Sequence, residues 1–156
     1  MRRMAMLGLL AAMGVLPAQA AGPAVIVLLG TGVQIYGCTQ TATGFAWRLK
    51  GPDAILTDTA GRRAGQHFAG PSWQAEDGST VTGEVLVASE ATQADAVPWL
   101  VLKAKTHGGE GLFSTVAYVV RSATVGGAAP ATGCDPAHGG AETRVNYSAT
   151  YTFFSG

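Results

Sequence analysis

An excess of charge of either sign is missing from this chain. Lys and Arg number 10, Asp and Glu number 10, and charged residues make up only 13% of the 156. So even and sparse a distribution gives no electrostatic footprint for nucleic acid or an anionic membrane surface, and neither partner is expected. Metal-ligand chemistry is thin as well. Cysteine occurs only at Cys38 and Cys134, and His67, His107 and His138 share no close ligand spacing, so no metal is expected. G-x-S-x-G, the phosphate-loop glycine pattern, H-E-x-x-H and a dinucleotide fingerprint are all missing, and no cofactor is expected. Beyond the N-terminus there is no helical periodicity, apart from a candidate turn or two at residues 90–96, "EATQADA".

The one long apolar run stands at the start. Arg2 and Arg3 precede "LGLLAAMGVL" at residues 7–16, Pro17 follows, and Ala18-Gln19-Ala20 fits the small-x-small cleavage rule. The run is about half of the ~20 residues a membrane span needs. Residues 1–20 therefore read as a cleaved signal peptide. The protein is expected to be exported, to the periplasm or beyond, with no stable membrane insertion after cleavage. Residues 21–156 are one domain's worth of chain, and losing Arg2 and Arg3 leaves eight basic residues against ten acidic ones.

An exported chain with an even cysteine count favours pairing, so Cys38 and Cys134 are expected to form a disulfide. A metal pair or a catalytic thiol is the rival reading. The first needs more ligands, and the second needs an activating base that the pattern does not place nearby.

Period-two patterning runs through most of what remains. In "VNYSATYTFF", Val145, Tyr147, Ala149, Tyr151 and Phe153 alternate with Asn146, Ser148, Thr150 and Thr152, as in a half-buried strand. In "GLFSTVAYVVRSAT", Val116, Tyr118 and Val120 share one face, with Val119 and Arg121 on the other. "PWLVLKAKT" sets Leu100, Leu102 and Ala104 against Trp99, Val101 and Lys103, and "TVTGEVLVAS" puts Val81, Val85 and Val87 together. Shorter candidates are "GVQIYGC", "GFAWRL", "AILTD", "QHFA" and "SWQAE". Turn signals separate them, Gly51-Pro52, Gly70-Pro71 and Asp77-Gly78 among others, and 22 glycines are roughly twice the ~7% average share. The pattern predicts a single all-β domain, an antiparallel sandwich or barrel with glycine-rich turns. Val116, Tyr118, Val120, Tyr147 and Tyr151 are its expected core.

Reactive side chains crowd into residues 67–79, "HFAGPSWQAEDGS". Asp77-Gly78 reads as a type I′ hairpin turn, which needs positive φ at both central positions, and Gly70-Pro71 reads as a bend. Glu76 is then a solvated carboxylate. Turn chemistry does not require His67 or Trp73. His67 faces away from Gln66 and Phe68, and the bend brings Trp73 back toward it. Trp47 alternates with Phe45 and Leu49 and reads as core, whereas Trp99 falls on the polar-leaning face of its strand. Exposed aromatic faces on β-domains stack on sugar rings or other ligands. His67, Trp73 and Trp99 are thus the candidate binding residues, with plain packing as the competing reading.

Taken in order, "GVQIYGC", "FAWRLKGPDAIL", "HFAGPSWQAEDGSTVTGEV", "VPWLVLKA", "GLFSTVAYVVRSATVGGAAPATGC" and "VNYSATYTFF" resemble the small secreted proteins grouped as domain of unknown function 3455. The likeness covers about residues 32–154. It implies an exported single-domain protein of bacteria and fungi with no established activity. Some fungal members carry a malate dehydrogenase label, which this sequence does not support, having neither the fingerprint nor a βαβ pattern.

Three functions stay open. The favoured one is a non-enzymatic exported binding or envelope-associated module, whose partner would be a small molecule or a glycan. The second is a hydrolase or lyase using His67 with Glu76 or Asp77. The third is a structural or stress-protective protein with no ligand. Catalytic residues and oligomeric state are not assigned.

Overall fold

The computed structural model describes residues 24–156; the leader read at residues 1–20 lies outside them. Eight strands follow one another: β1 Val25–Thr41, β2 Gly44–Thr57, β3 Arg63–Phe68, β4 Ser72–Ala75, β5 Thr80–Ser89, β6 Trp99–Gly108, β7 Val116–Gly126 and β8 Glu142–Ser155. Each pairs antiparallel with the next, and β8 returns to β1, Leu28 opposite Tyr151 and Gly32 opposite Tyr147, to close an up-and-down barrel. Of the two architectures the pattern allowed, the chain adopts the closed one. Among the described residues the single helical element is a short 3-10 turn, Pro136–His138, and residues 90–96 form a loop rather than a helix.

Alternation holds where strands are regular. Along β8, Tyr147, Ala149, Tyr151 and Phe153 point into the core. On β7 it fails for a local reason. Val116 pairs with Ser155 and Tyr118 with Phe154, so Ala117 is an extra residue that shifts the phase. Val116 stays inside, but Tyr118 is 44% exposed and Val119, expected outside, is fully buried; Val120 is only partly buried. On β5 a second bulge at Leu86 likewise separates Val87, which is exposed, from the buried Val81.

Two glycine signals also resolve differently from expectation. Gly51-Pro52 does not turn the chain; β2 runs straight through it, with Lys50 as the bulged residue. At Asp77-Gly78 only Gly78 has positive φ. Gly78 N donates to Ala75 O and Ala75 N to Ser79 O, a type I turn closed by a left-handed glycine rather than a type I′ turn. β1 also starts earlier than "GVQIYGC" indicated, at Val25.

The strands have very unequal lengths, and this shapes the site. At one end of the barrel, β1 and β2 carry 17 and 14 residues, while the β3–β4 hairpin between β2 and β5 has strands of only 6 and 4. β2 pairs with β3 only over Asp53–Thr57, and β5 pairs with β4 only as far as Thr82. Above the turn at residues 69–71, the wall therefore has a notch, with β2 on one margin and β5 on the other. Pro52 stands at that margin, beside the last paired residue of β2, where an absent N–H is least costly. The opposite end is closed. Asp77 accepts from Leu112 N at 2.7 Å and Ser79 Oγ from Phe113 N at 3.1 Å, which seats the fully buried Phe113 on Phe153, ring centres 4.6 Å apart.

Candidate functional site

The barrel interior is aromatic and partly polar. His67 and Trp73 are register partners on β3 and β4, and their rings stack with centres 4.6 Å apart and planes 6° from parallel. The bend does bring Trp73 beside His67. Tyr151 meets both edge-on, at 5.0 and 5.8 Å, and its hydroxyl lies 3.2 Å from that of Tyr147. His67 is 3% exposed. Its Nδ1 lies 2.8 Å from Ser72 O; a carbonyl only accepts, so Nδ1 carries the proton and Nε2 keeps its lone pair. Burial pushes the imidazole pKa down to about 4, against the pull of the Ser72 carbonyl, and the Arg121 charge adds to the lowering. The ring is neutral at pH 7. Burial raises the Tyr36, Tyr147 and Tyr151 phenols above their ordinary value, with Arg121 opposing in each case.

The notch opens onto this interior through a cavity of about 230 Å³. His67 and Pro71 form its lower wall, Leu49 and Val85 its margins, and Gln34 and Arg121 its inner side. Gln34 projects from β1 and is 1% exposed, yet its Nε2 has no hydrogen-bond partner. Arg121 enters opposite Leu100; its Nε donates to Pro98 O at 3.0 Å, and among the described residues no carboxylate pairs with it. No Asp or Glu lines the cavity. A larger hollow of about 530 Å³ lies along Thr31, Val33, Asn146 and Ser148, but it is a shallow trough on the barrel's outer wall and gathers no unpaired buried polar group.

The other residues singled out from sequence go elsewhere. Trp73 lies behind His67, fully buried in the core. Trp99 lines a separate hollow of about 100 Å³ with Val87, Val101 and Val120, which shares only Leu100 and Arg121 with the notch. Trp47 is not core: it is partly exposed beside an exposed Leu49, and its Nε1 donates to Thr132 O at 2.9 Å. Glu76 pairs with Arg63 at 2.6 Å. Asp77 accepts from Ser79 Oγ at 2.6 Å and from Leu112 N, and these bonds hold its carboxyl below the usual range. Both carboxylates stand beyond Ala75, at the end of the β3–β4 hairpin away from His67 and the 69–71 turn. Cys38 and Cys134 are joined by a disulfide, Cα atoms 5.3 Å apart, within the reach such a bridge requires. Among the described residues, no three His, Cys, Asp or Glu side chains gather as metal ligands.

Gln34 and Arg121 were not singled out by sequence reasoning. Gln34 carried a signal, a polar residue in phase with Tyr36 and Cys38 on an inward face. Arg121 was hidden by the bulge at Ala117, which moved it from the outer face to the inner one.

A family model described as "Protein of unknown function (DUF3455)" matches residues 17–155. The chain belongs to this family. The DUF3455 match takes in all eight strands, and with them every residue lining the notch. No curated protein and no solved structure matches the chain.

Proposed function

We propose that this DUF3455 protein is an exported binding module that takes a small molecule through the notch above the β3–β4 hairpin. The observation that carries the reading is the cavity itself, a concave opening into an aromatic interior where polar groups with spare hydrogen-bonding capacity converge. Its volume of about 230 Å³ is below the roughly 300–1,000 Å³ of drug-sized sites, which favours a small molecule over an extended glycan. Export to an oxidising compartment agrees with the Cys38–Cys134 bridge. The barrel interior is filled by apolar side chains, where a membrane barrel's interior is polar, and Glu84, Lys103 and Lys105 are exposed on the outside among apolar residues such as Val27, Leu29 and Ile55.

A hydrolase or lyase built on His67 has less support. Its Nε2 is free, but a base of pKa about 4 is weak at neutral pH, and the carboxylates proposed as its partners lie at the far end of the hairpin. His67→Ala and Trp73→Ala would damage the core whatever the function, so neither isolates binding. Val85→Trp does, because Val85 is 46% exposed at the notch margin, where a larger ring obstructs entry without entering the core. Wild type screened by thermal shift and native mass spectrometry is expected to gain stability from at least one class of small molecule, and Val85→Trp to lose that gain. Should no class stabilise wild type, or should Val85→Trp respond equally, the notch is not a binding site.

A further inference from the structure

Two hydrogen-bond donors with capacity to spare, the Gln34 amide and the Arg121 guanidinium, line the inner wall of the notch. The Gln34 amide nitrogen is buried and unpartnered, a costly state for a group that water would otherwise satisfy. The Arg121 guanidinium is partly buried among Tyr36, His67, Tyr147 and Tyr151, with no carboxylate paired to it among the described residues. A second cation, Lys50, also lines the cavity, but its Nζ is already held by Glu142 at 2.8 Å. The inner wall is therefore donor-rich and net positive, while the margins, Leu49 and Val85, are apolar and exposed. Donors that line one cavity without acidic lining suit an anionic acceptor, and a guanidinium and an amide can each donate to an oxygen of a carboxylate.

We infer that the ligand is a small amphipathic carboxylic acid, its carboxylate on Arg121 and the Gln34 amide and its apolar part between Leu49 and Val85. This rests on the notch being a binding site and adds the chemical class that the site selects. A carboxylate there satisfies the orphan amide and neutralises the lone guanidinium in one step. A neutral isostere leaves the guanidinium unpaired. Lys50 takes no part beyond its aliphatic stem, because its ammonium is committed to the outer surface.

The test uses the disulfide-intact protein and matched ligands. Octanoate and phenylacetate are titrated by calorimetry at low salt beside octanamide and phenylacetamide, on wild type, Arg121→Gln and Gln34→Met. The acids are expected to bind wild type and the amides to bind far more weakly. Losing one charge-assisted contact in Arg121→Gln should weaken the acids by about tenfold to a hundredfold, and leave any amide binding unchanged. Gln34→Met, which removes the donor at similar volume, should also weaken the acids, and it decides the matter if Arg121→Gln does not fold. Amides that bind as tightly as acids, or variants that hold the acids as well as wild type does, would overturn the carboxylate assignment and leave the binding reading standing. If wild type binds neither series while other small molecules stabilise it and Val85→Trp abolishes that effect, the ligand class is likewise wrong. If nothing binds at all, both readings fall together.

Discussion

His67 is held without its second proton by the fold. Arg121 faces it from β7 and Tyr151 from β8, Trp73 covers one ring face, and Ser72 O accepts a hydrogen bond from Nδ1. Its pKa falls from an ordinary 6.5 to about 4, so between these values the unfolded chain binds a proton that the folded protein refuses. Stability from this group is complete above about pH 6.5 and is lost as the pH falls toward 4, a loss on the order of 3 kcal/mol. The lowered carboxyls Asp58, Asp77, Asp135 and Glu142 act only below about pH 4.5, where their unfolded forms take up protons. Urea melts of wild type across pH 7.5 to 5 should therefore show a decline that His67→Asn lacks, since asparagine still donates to Ser72 O and gains no proton. Equal slopes in the two proteins would mean that the imidazole is not kept neutral. At a second residue, Tyr151→Ala should cost about 3–5 kcal/mol, as for other buried aromatic truncations, measured as a fall in denaturation midpoint.

At the scale of elements, the strands were legible and their faces only partly so. β8 obeys period two without interruption, and its inward set was read correctly from Val145 to Phe153. β7 carries the same kind of sequence, but one bulged residue, Ala117, inverts the phase as far as Ser122, after which a second register shift restores it and Thr124 is buried. A bulge is made by the partner strand's register as much as by local residues, so "VAYVV" alone does not reveal it. The same cause hid Arg121, and with it the charge of the site. Gly51-Pro52 misled for a related reason, because a proline reads as a turn until the chain is known to have an open margin there. The inverted phase is itself testable. Val119→Ala should destabilise the protein by about 2–3 kcal/mol through lost burial and a cavity. Tyr118→Ala should cost within about 1 kcal/mol, the worth of its cross-strand pairing with Phe154. The reverse ranking in thermal or urea melts would put Tyr118 back in the core.

The whole molecule closes twice, once by β1 pairing with β8 and once by the bridge between Cys38 and Cys134, 96 residues apart in sequence. The second closure has two separable effects. A loop of that length confines the unfolded chain and is worth about 4–5 kcal/mol in the chain-entropy account, which acts on every strand alike. The bridge also ties the long β7–β8 loop to the upper β1–β2 hairpin, where Trp47 donates to Thr132 O and Lys50 pairs with Glu142. That hairpin needs bracing, because residues 44–52 of β2 have no β3 neighbour and form one margin of the notch. With the bridge removed as Cys38→Ala/Cys134→Ala, the urea midpoint should fall. Amide exchange should accelerate throughout, but further at residues 44–52 than at residues 145–153, which are flanked by β1 and β7. A uniform acceleration would mean that the bridge acts on the unfolded chain alone. An excess confined to residues 44–52 would mean that the same bond steadies the margin of the notch.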